Sequence, residues 1–254
     1  MNISIITLFP QMISSYFDES IVKRAQDKKL VEIEIINLRD FAIDDYGTVD
    51  DRPYGGGAGM IIRIDVIYKA LESVISSEAR NPAKRKLRSL RSLDSSSSST
   101  PQNDRRWVVL TSPKGKTFNQ QLAINYSQLD HLIIIAGHYE GVDERILDYV
   151  DEEISLGDFI LTGGEIVAAA IVDSVVRLLP GVLKKDEATK SESFNINGKK
   201  LLEYPQYTRP EIFNNKKVPE ILLSGDHKKI EDWQIKKAFE GTLKKRPDLL
   251  DSNK

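Results

Sequence analysis

Residues 131–141 have the sequence HLIIIAGHYEG, in which an apolar run leads directly into a loop with two glycines. A strand that is buried on both faces is apolar at nearly every position, so His131–Ala136 is predicted to be a central strand of a parallel sheet. Further β-rich runs are found at residues 3–9, 31–38 and 107–111. Helical patterns accompany them at residues 10–29, 65–76 and 164–179. This alternation predicts an α/β fold with a mostly parallel sheet.

The composition excludes several classes of site. The chain of 254 residues has no cysteine and only three histidines. Disulfides, cysteine-ligated zinc, iron–sulfur clusters and a thiol nucleophile are therefore excluded. No apolar run approaches the roughly 20 residues that a membrane-spanning helix needs, and the first residues lack the pattern of a secretion signal. A cytoplasmic protein without membrane association is expected.

Charge is unevenly distributed along the chain, although the net charge is only −2. Residues 80–106 contain eight Lys and Arg against two Asp and Glu, and residues 184–254 contain sixteen against twelve. Basic segments of this kind are compatible with an RNA partner, because the nucleic-acid backbone is negatively charged. The alternative is that these lysines only keep the surface of C-terminal helices hydrated.

The sequence divides into two predicted domains. Residues 1–183 carry the α/β pattern, residues 184–191 form a polar linker, and residues 192–254 form a small, mainly helical domain. Residues 77–106 interrupt the first domain with a basic stretch and a run of five serines. Because such sequence cannot bury enough apolar surface to offset the entropy lost on ordering, we predict a flexible surface insertion. A basic arm that grips RNA is the alternative for this segment.

Three glycine-bearing segments are the candidates for a ligand site. They are DDRPYGGGAGM at residues 50–60, AGHYEGVDER at residues 136–145 and SLGDFILTGGE at residues 155–165. The second and third follow predicted strands, and ligands of open α/β sheets bind beyond the carboxyl ends of strands. The common nucleotide-binding motifs are missing: Gly115-Lys116 resembles the end of a P-loop, but Leu110 stands where that motif needs a glycine.

These three segments, together with RLLPGVL at residues 177–183 and EYPQYTRP at residues 203–210, resemble the bacterial tRNA (guanine-N1)-methyltransferases. This is the TrmD family, a group of knotted SPOUT methyltransferases. The resemblance covers nearly the whole chain apart from residues 77–106, and the motifs stand in the order that the family has.

The resemblance implies a deep trefoil knot in the α/β domain and S-adenosylmethionine bound by the loops of the knot. It implies a homodimer in which both chains build each active site, and methyl transfer to N1 of the guanine immediately 3′ of the anticodon. The partner is then tRNA rather than DNA. Magnesium stays open as an additional requirement, since nothing in the sequence specifies a metal site. Two alternatives remain: a knotted RNA-binding protein that has lost catalysis, and a knotted methyltransferase for ribose or ribosomal RNA.

By matching motifs, the resemblance places the cofactor in three loops. The residues that it assigns to cofactor binding are Leu110, Thr111, Ser112, Pro113, Gly137, Tyr139, Glu140, Gly141, Leu156, Gly157, Phe159, Leu161, Gly163 and Gly164. Glycines in these loops allow the backbone to approach a ligand closely. Two roles stay open for the acidic residues: Glu140 facing the positively charged donor, and Asp143 and Glu144 forming a helix cap and ion pairs with Arg145.

Methylation at guanine N1 requires a base for the N1 proton and positive charge near O6. The family places a catalytic aspartate just before a Ser-Phe pair, and here Ser193-Phe194 follows Glu192 instead. Glu192 is thus the expected base, with an ordinary linker carboxylate as the alternative. Arg177 matches the family's arginine before the Pro-Gly turn and would face O6 of guanine or the donor's carboxylate, with a salt bridge to Asp173 as the alternative. The expected tRNA contacts are Asp50, Arg52, Tyr54, Ser193 and Arg209.

Overall fold

The computed structural model describes residues 1–80, 105–184, 191–196 and 198–250. The chain divides into two compact units, residues 1–182 and residues 183–254. Most of the predicted insertion, residues 81–104, lies outside the described residues, as do residues 185–190 of the predicted linker. At both ends of that insertion, regular structure extends further than the sequence predicted. The preceding helix continues to Arg80, and the following strand begins at Arg106.

The N-terminal unit contains seven strands and five α-helices within its described residues. The strands are β1 (Asn2–Thr7), β2 (Glu32–Asn37), β3 (Asp50–Asp51), β4 (Ile61–Ile62), β5 (Arg106–Thr117), β6 (His131–Ala136) and β7 (Glu152–Ser155). The helices are α1 (Pro10–Phe17), α2 (Ser20–Asp27), α3 (Ile64–Arg80), α4 (Gln120–Tyr126) and α5 (Glu165–Val176). Two 3-10 helices, Leu38–Phe41 and Glu144–Tyr149, complete the unit. The single helix predicted for residues 10–29 is interrupted at Asp18 and Glu19.

A parallel five-stranded sheet with the order β2-β1-β6-β5-β7 forms the centre of this unit. The predicted central strand is confirmed: β6 pairs with β1 on one side and β5 on the other, and all six of its residues are buried. Leu132 and Ile134 contribute to one hydrophobic core, and Ile133 and Ile135 to the other. Because successive side chains point to opposite faces, a strand covered on both faces needs an apolar residue at each position.

Strand β5 continues six residues past its predicted end at residue 111. After Thr111 the ladder with β7 shifts register and resumes at Lys116 and Thr117. The polar stretch Ser112–Lys116 gives no apolar signal in the sequence. Its pairing with β7 is therefore a tertiary feature that local patterning does not indicate.

The C-terminal unit combines helices with two short hairpins. The hairpins are β8 (Ser191–Glu192) with β9 (Asn195–Ile196), and β10 (Ile212–Phe213) with β11 (Lys216–Lys217). The helices are α6 (Glu220–Leu223) and α7 (His227–Lys245), followed by a 3-10 turn at Pro247–Leu249. A small core of Ile196, Leu201 and Ala238 joins α7 to the first hairpin. Within the described residues, no helix is both long enough and apolar enough to cross a membrane.

Candidate functional site

Residues 111–113 of β5 and the loops that follow β6 and β7 meet near the carboxyl ends of β6 and β7 and line a cavity of about 220 Å³. This volume is more than ten times the roughly 15 Å³ that a single water requires, so the cavity can hold an organic ligand. Its position beyond the carboxyl ends of parallel strands is the usual ligand site of open α/β sheets. Thirteen of the fourteen residues assigned above to cofactor binding line it, and the exception is Leu110.

Leu110 is the one assigned residue that the structure does not bring to the cavity. It is only 2% exposed and packs in the core on the opposite face of the sheet. Strand alternation explains this placement, because Leu110 and its neighbour Thr111 point to opposite faces. Thr111 is the residue of this pair that lines the cavity.

The loop after β7 returns to the end of β6 and packs tightly there. The backbone N–H of Gly164 donates to the carbonyl oxygen of Gly137 at 2.7 Å. The neighbouring residues His138 and Gly163 pair as a single antiparallel β-bridge. Thr111 Oγ1 accepts a hydrogen bond from the N–H of Gly137 at 3.1 Å. A Cβ atom on Gly164 would overlap the Thr111 hydroxyl. Glycine is therefore required here to let three segments approach one another.

The glycine loop before β4 is joined by backbone hydrogen bonds to the loop after β6. The N–H of Glu140 donates to the Met60 carbonyl at 3.1 Å, and the N–H of Ile62 donates to the Gly141 carbonyl at 3.0 Å. A Cβ atom on Gly59 would overlap the side chain of Glu140. The segment expected to contact tRNA and a segment that lines the cavity are thus directly connected.

The structure shows which acidic residues after β6 form the helix cap and ion pairs. Asp143 caps the 3-10 helix by accepting from the N–H of Arg145, and it also pairs with the Arg145 guanidinium at 2.7 Å. This hydrogen-bonded pair holds the pKa of the Asp143 carboxyl below its usual range, against the opposing effect of burial. Glu144 pairs with Lys114 at 3.0 Å. Glu140, in contrast, lines the cavity.

Six residues that line the cavity were not assigned from the sequence: His138, Ile154, Ser155, Ile160, Thr162 and Val167. His138 lines the cavity, and its Nδ1 lies 3.5 Å from Oε2 of Glu165, which is buried at the start of α5. Glu165 Oε1 accepts a hydrogen bond from the Thr7 hydroxyl at 2.8 Å. The available signal was Glu165 itself, an acidic residue directly before the apolar run of residues 166–172.

The residues assigned to the transfer reaction belong to different units. Arg177 is half-buried and caps the C-terminal end of α5 in the N-terminal unit. Glu192 lies in β8 of the C-terminal unit, paired across the hairpin with Asn195. In the same hairpin loop, Ser193 Oγ accepts a hydrogen bond from the N–H of Glu203 at 2.9 Å. Asp173, the alternative ion-pair partner of Arg177, lies close to the Tyr16 hydroxyl. Burial and this aspartate raise the pKa of Tyr16.

The remaining residues assigned to tRNA are mostly exposed. Asp50 pairs with Ile62 between β3 and β4 and is half-buried, whereas Arg52 and Tyr54 in the following loop are exposed. Arg209 is exposed in the C-terminal unit. Exposed arginine and aromatic side chains are suited to phosphate contact and base stacking.

The donor set of the cavity fits S-adenosylmethionine. Glycines at 137, 141, 157, 163 and 164 let a ligand approach the backbone closely, and Leu156, Leu161 and Val167 add apolar surface. Glu140 supplies a carboxylate for a positively charged group. Within the described part of the chain, no group of three or more His, Asp or Glu side chains could hold a metal ion.

The comparison with known protein families points to a methyltransferase. A family model described as tRNA (Guanine-1)-methyltransferase TrmD matches residues 1–252. The chain belongs to this family. Members named tRNA (guanine-N(1)-)-methyltransferase are similar to it over nearly their whole length. The protein of Mycoplasma capricolum is 47% identical over 100% of this chain and 93% of its own. The proteins of Dictyoglomus turgidum and Citrifermentans bemidjiense are each 48% identical over 99% of this chain and 90% of their own.

Proposed function

We propose that this protein transfers a methyl group from S-adenosylmethionine to N1 of the guanine immediately 3′ of the anticodon in tRNA. The chain is an enzyme of the tRNA (guanine-N1)-methyltransferase family, which it matches over its whole length. The observation that carries the proposal is the glycine-lined cavity, because the residues that form it are those at which the chain matches the family's cofactor loops.

Different cavity residues contact different parts of the cofactor. Gly137, Gly141 and Gly157 let the adenine and ribose approach the backbone closely, and Leu156 and Leu161 cover the apolar surface of the base. Glu140 faces the positive charge. When bound, S-adenosylmethionine supplies a methyl group on a positively charged sulfonium. The chain's own task is to orient this group and to exclude water.

Glu192 is the proposed general base for the target guanine. Guanine N1 carries a proton and becomes nucleophilic only when that proton leaves, which a carboxylate within hydrogen-bond reach can accept. Glutamate has the same chemistry as the aspartate that the family places here, with one more methylene between carboxylate and backbone. Arg177 is proposed to face O6, where negative charge develops as the proton leaves, and its guanidinium stabilises that charge.

The trefoil knot is part of the proposal. The chain leaves β7 at the edge of the sheet, passes the end of β5 and packs against the end of β6. The close contacts of Gly164 with Thr111 and Gly137 along this route support a threaded chain. A return path of this kind is unusual, since connections in most folds do not thread one another.

A homodimer with shared active sites is the proposed assembly. Phe159, Ile160 and Ile166, in and next to the loop that lines the cavity, are more than half exposed. Clusters of exposed apolar side chains mark interaction surfaces, and a second copy of the chain would cover this one. The proposed tRNA contacts are Asp50, Arg52 and Tyr54 of the N-terminal unit and Ser193 and Arg209 of the C-terminal unit. The cytoplasm, where tRNA is found, remains the expected location.

The proposal is tested by incubating the protein with radiolabelled S-adenosylmethionine and a tRNA that has guanine 3′ of its anticodon. N1-methylguanine should form, and no label should be incorporated when adenine replaces this guanine. Incorporation that survives the replacement would indicate a ribose or ribosomal RNA methyltransferase instead. Binding of the donor by a folded protein without any methyl transfer would indicate an RNA-binding protein that has lost catalysis.

A further inference from the structure

A buried carboxylate lies beside the cavity, and the transfer reaction as proposed above makes no use of it. Glu165, the first residue of α5, is 1% exposed and is the only acidic side chain that is fully buried among the described residues. The N-terminal end of a helix favours negative charge, which lowers the cost of this position. A buried carboxylate still requires hydrogen bonds or a charged partner, because water no longer solvates it.

The two oxygens of Glu165 have different surroundings. Oε1 accepts the hydrogen bond of 2.8 Å from the Thr7 hydroxyl on β1. Oε2 lies 3.5 Å from Nδ1 of His138, and within the described structure neither of these two buried atoms has a hydrogen-bond partner. A distance of 3.5 Å is slightly too long for an N–H···O bond, and a shift of roughly 0.5 Å would form one. The two atoms are thus natural partners.

The surroundings of His138 restrict its ring to this orientation. The ring centroid lies 4.5 Å from that of Phe9 and 5.1 Å from that of Tyr139. A Cβ atom on Gly163 would overlap both Glu165 Oε2 and His138 Nδ1. Glycine at position 163 is therefore what allows the carboxylate and the imidazole to face each other.

We propose that Glu165 is a positioning residue that holds His138 in the tautomer with its hydrogen on Nδ1. The carboxylate accepts this hydrogen, and Nε2 is left as the acceptor of the ring. Since Thr7 is on β1, His138 follows β6 and Glu165 begins α5, the contact joins three elements beside the cavity. It thereby fixes the loop of residues 137–141 in the shape that lines the cavity. The inference rests on the proposed function in one respect: the cavity ligand is taken to be S-adenosylmethionine.

The tautomer can be measured by ¹⁵N NMR of the histidine side chains. The chain has only three histidines, and the spectrum of His138→Gln identifies the signals of His138. The wild-type protein should show a protonated Nδ1 at His138. In Glu165→Gln, whose shape is conserved, the side-chain amide can donate to Nδ1, and the Nδ1 signal should move to the position of an unprotonated nitrogen.

Ligand affinity provides the second readout. Glu165→Gln should weaken binding of S-adenosylhomocysteine, measured by calorimetry, at least tenfold, because the loop loses its fixed shape. The matched control is Glu220→Gln, which changes the exposed first residue of α6 and should leave the His138 signals and the affinity unchanged. If Glu165→Gln does not fold, Thr7→Val removes only the hydrogen bond to Oε1, so Oε2 still accepts from Nδ1 and the Nδ1 signal should stay that of a protonated nitrogen.

An unprotonated Nδ1 in the wild-type protein would overturn the proposal. So would His138 signals that stay unchanged in Glu165→Gln or, where that variant is unfolded, an unprotonated Nδ1 in Thr7→Val. An unchanged affinity in a variant whose tautomer has changed would show that His138 does not shape the cavity, and would overturn it equally. Failure of the wild-type protein to bind S-adenosylhomocysteine would instead contradict the proposed function, and the NMR result would still decide the tautomer.

Discussion

Gly164 and Thr111 are packed so closely that any side chain on Gly164 would overlap the Thr111 hydroxyl. A Cβ atom there would also lie 2.9 Å from the backbone nitrogen of Gly137. The backbone of Gly164 has φ −82° and ψ −2°, which every amino acid can adopt. Packing, and not backbone conformation, therefore requires glycine where β5 and the segments after β6 and β7 meet.

Gly164→Ala tests this packing. The added methyl group must displace Thr111 or the backbone of Gly137, and overpacking of this kind costs about 1–3 kcal/mol. Urea unfolding should show a free energy of unfolding lower by that amount, and calorimetry should show weaker binding of S-adenosylhomocysteine. Gly241→Ala is the control, because Gly241 lies in α7 with nothing within 4 Å of an added Cβ. That change should stabilise the protein by up to about 1 kcal/mol. A Gly164→Ala protein as stable as the wild type would show that the three segments can separate without cost.

Glu192→Gln tests the proposed base. The amide cannot accept the N1 proton, so kcat for tRNA methylation should fall by roughly 10²- to 10⁴-fold, with the affinity for S-adenosylhomocysteine retained. Glu192→Asp, which restores the residue that the family has at this position, should keep most of the activity. Glu211→Gln changes an exposed carboxylate of the same unit and serves as the control. Normal turnover by Glu192→Gln would assign the base to another residue.

Tyr126→Phe tests a polar cluster in the N-terminal unit and predicts a pH dependence. The Tyr126 hydroxyl donates to Glu152 Oε2 at 2.6 Å, and Lys116 Nζ donates to Glu152 Oε1 at 2.7 Å. Burial opposes ionisation of Glu152, but these two hydrogen bonds outweigh it and hold its pKa below the ordinary value of 4.5. Burial and the bond to Glu152 raise the pKa of Tyr126.

A lowered carboxyl pKa stabilises the fold above the ordinary pKa of the group, and this contribution is lost as the pH falls through the pKa of the folded state. At pH 7, Tyr126→Phe should therefore reduce the free energy of unfolding by about 1.5–3 kcal/mol, the usual value of a hydrogen bond to a charged group. The loss should become smaller as the pH is lowered below 4.5. Urea unfolding at pH 7 and at low pH measures both values, with Tyr46→Phe, at an exposed residue, as the control. A loss that does not change with pH would contradict the role of ionised Glu152.

Local sequence patterns predicted the elements that carry a strong apolar signal. His131–Ala136 is apolar throughout because both faces of β6 are covered, and α5 is apolar for a similar reason. The pattern did not show that β5 extends to Thr117, because the polar residues after Thr111 owe their pairing to β7 and not to local preference. The pattern also did not show that Leu110 faces a hydrophobic core whereas Thr111 faces the cavity. Which face of a strand meets which neighbour depends on the packing of distant segments.

The sequence by itself determined the α/β class, the central strand and, through motif resemblance, the loops that line the cavity. These features depend on periodicity and on the order of residues along the chain, which are local properties. Only the tertiary structure decided that Glu165 faces His138 and Thr7, which are 27 and 158 positions away, and that Gly164 has no room for a side chain. Such contacts arise where distant segments pack together. The free energy of a buried carboxylate or of an overlapping methyl group depends on those neighbours, which no local pattern contains.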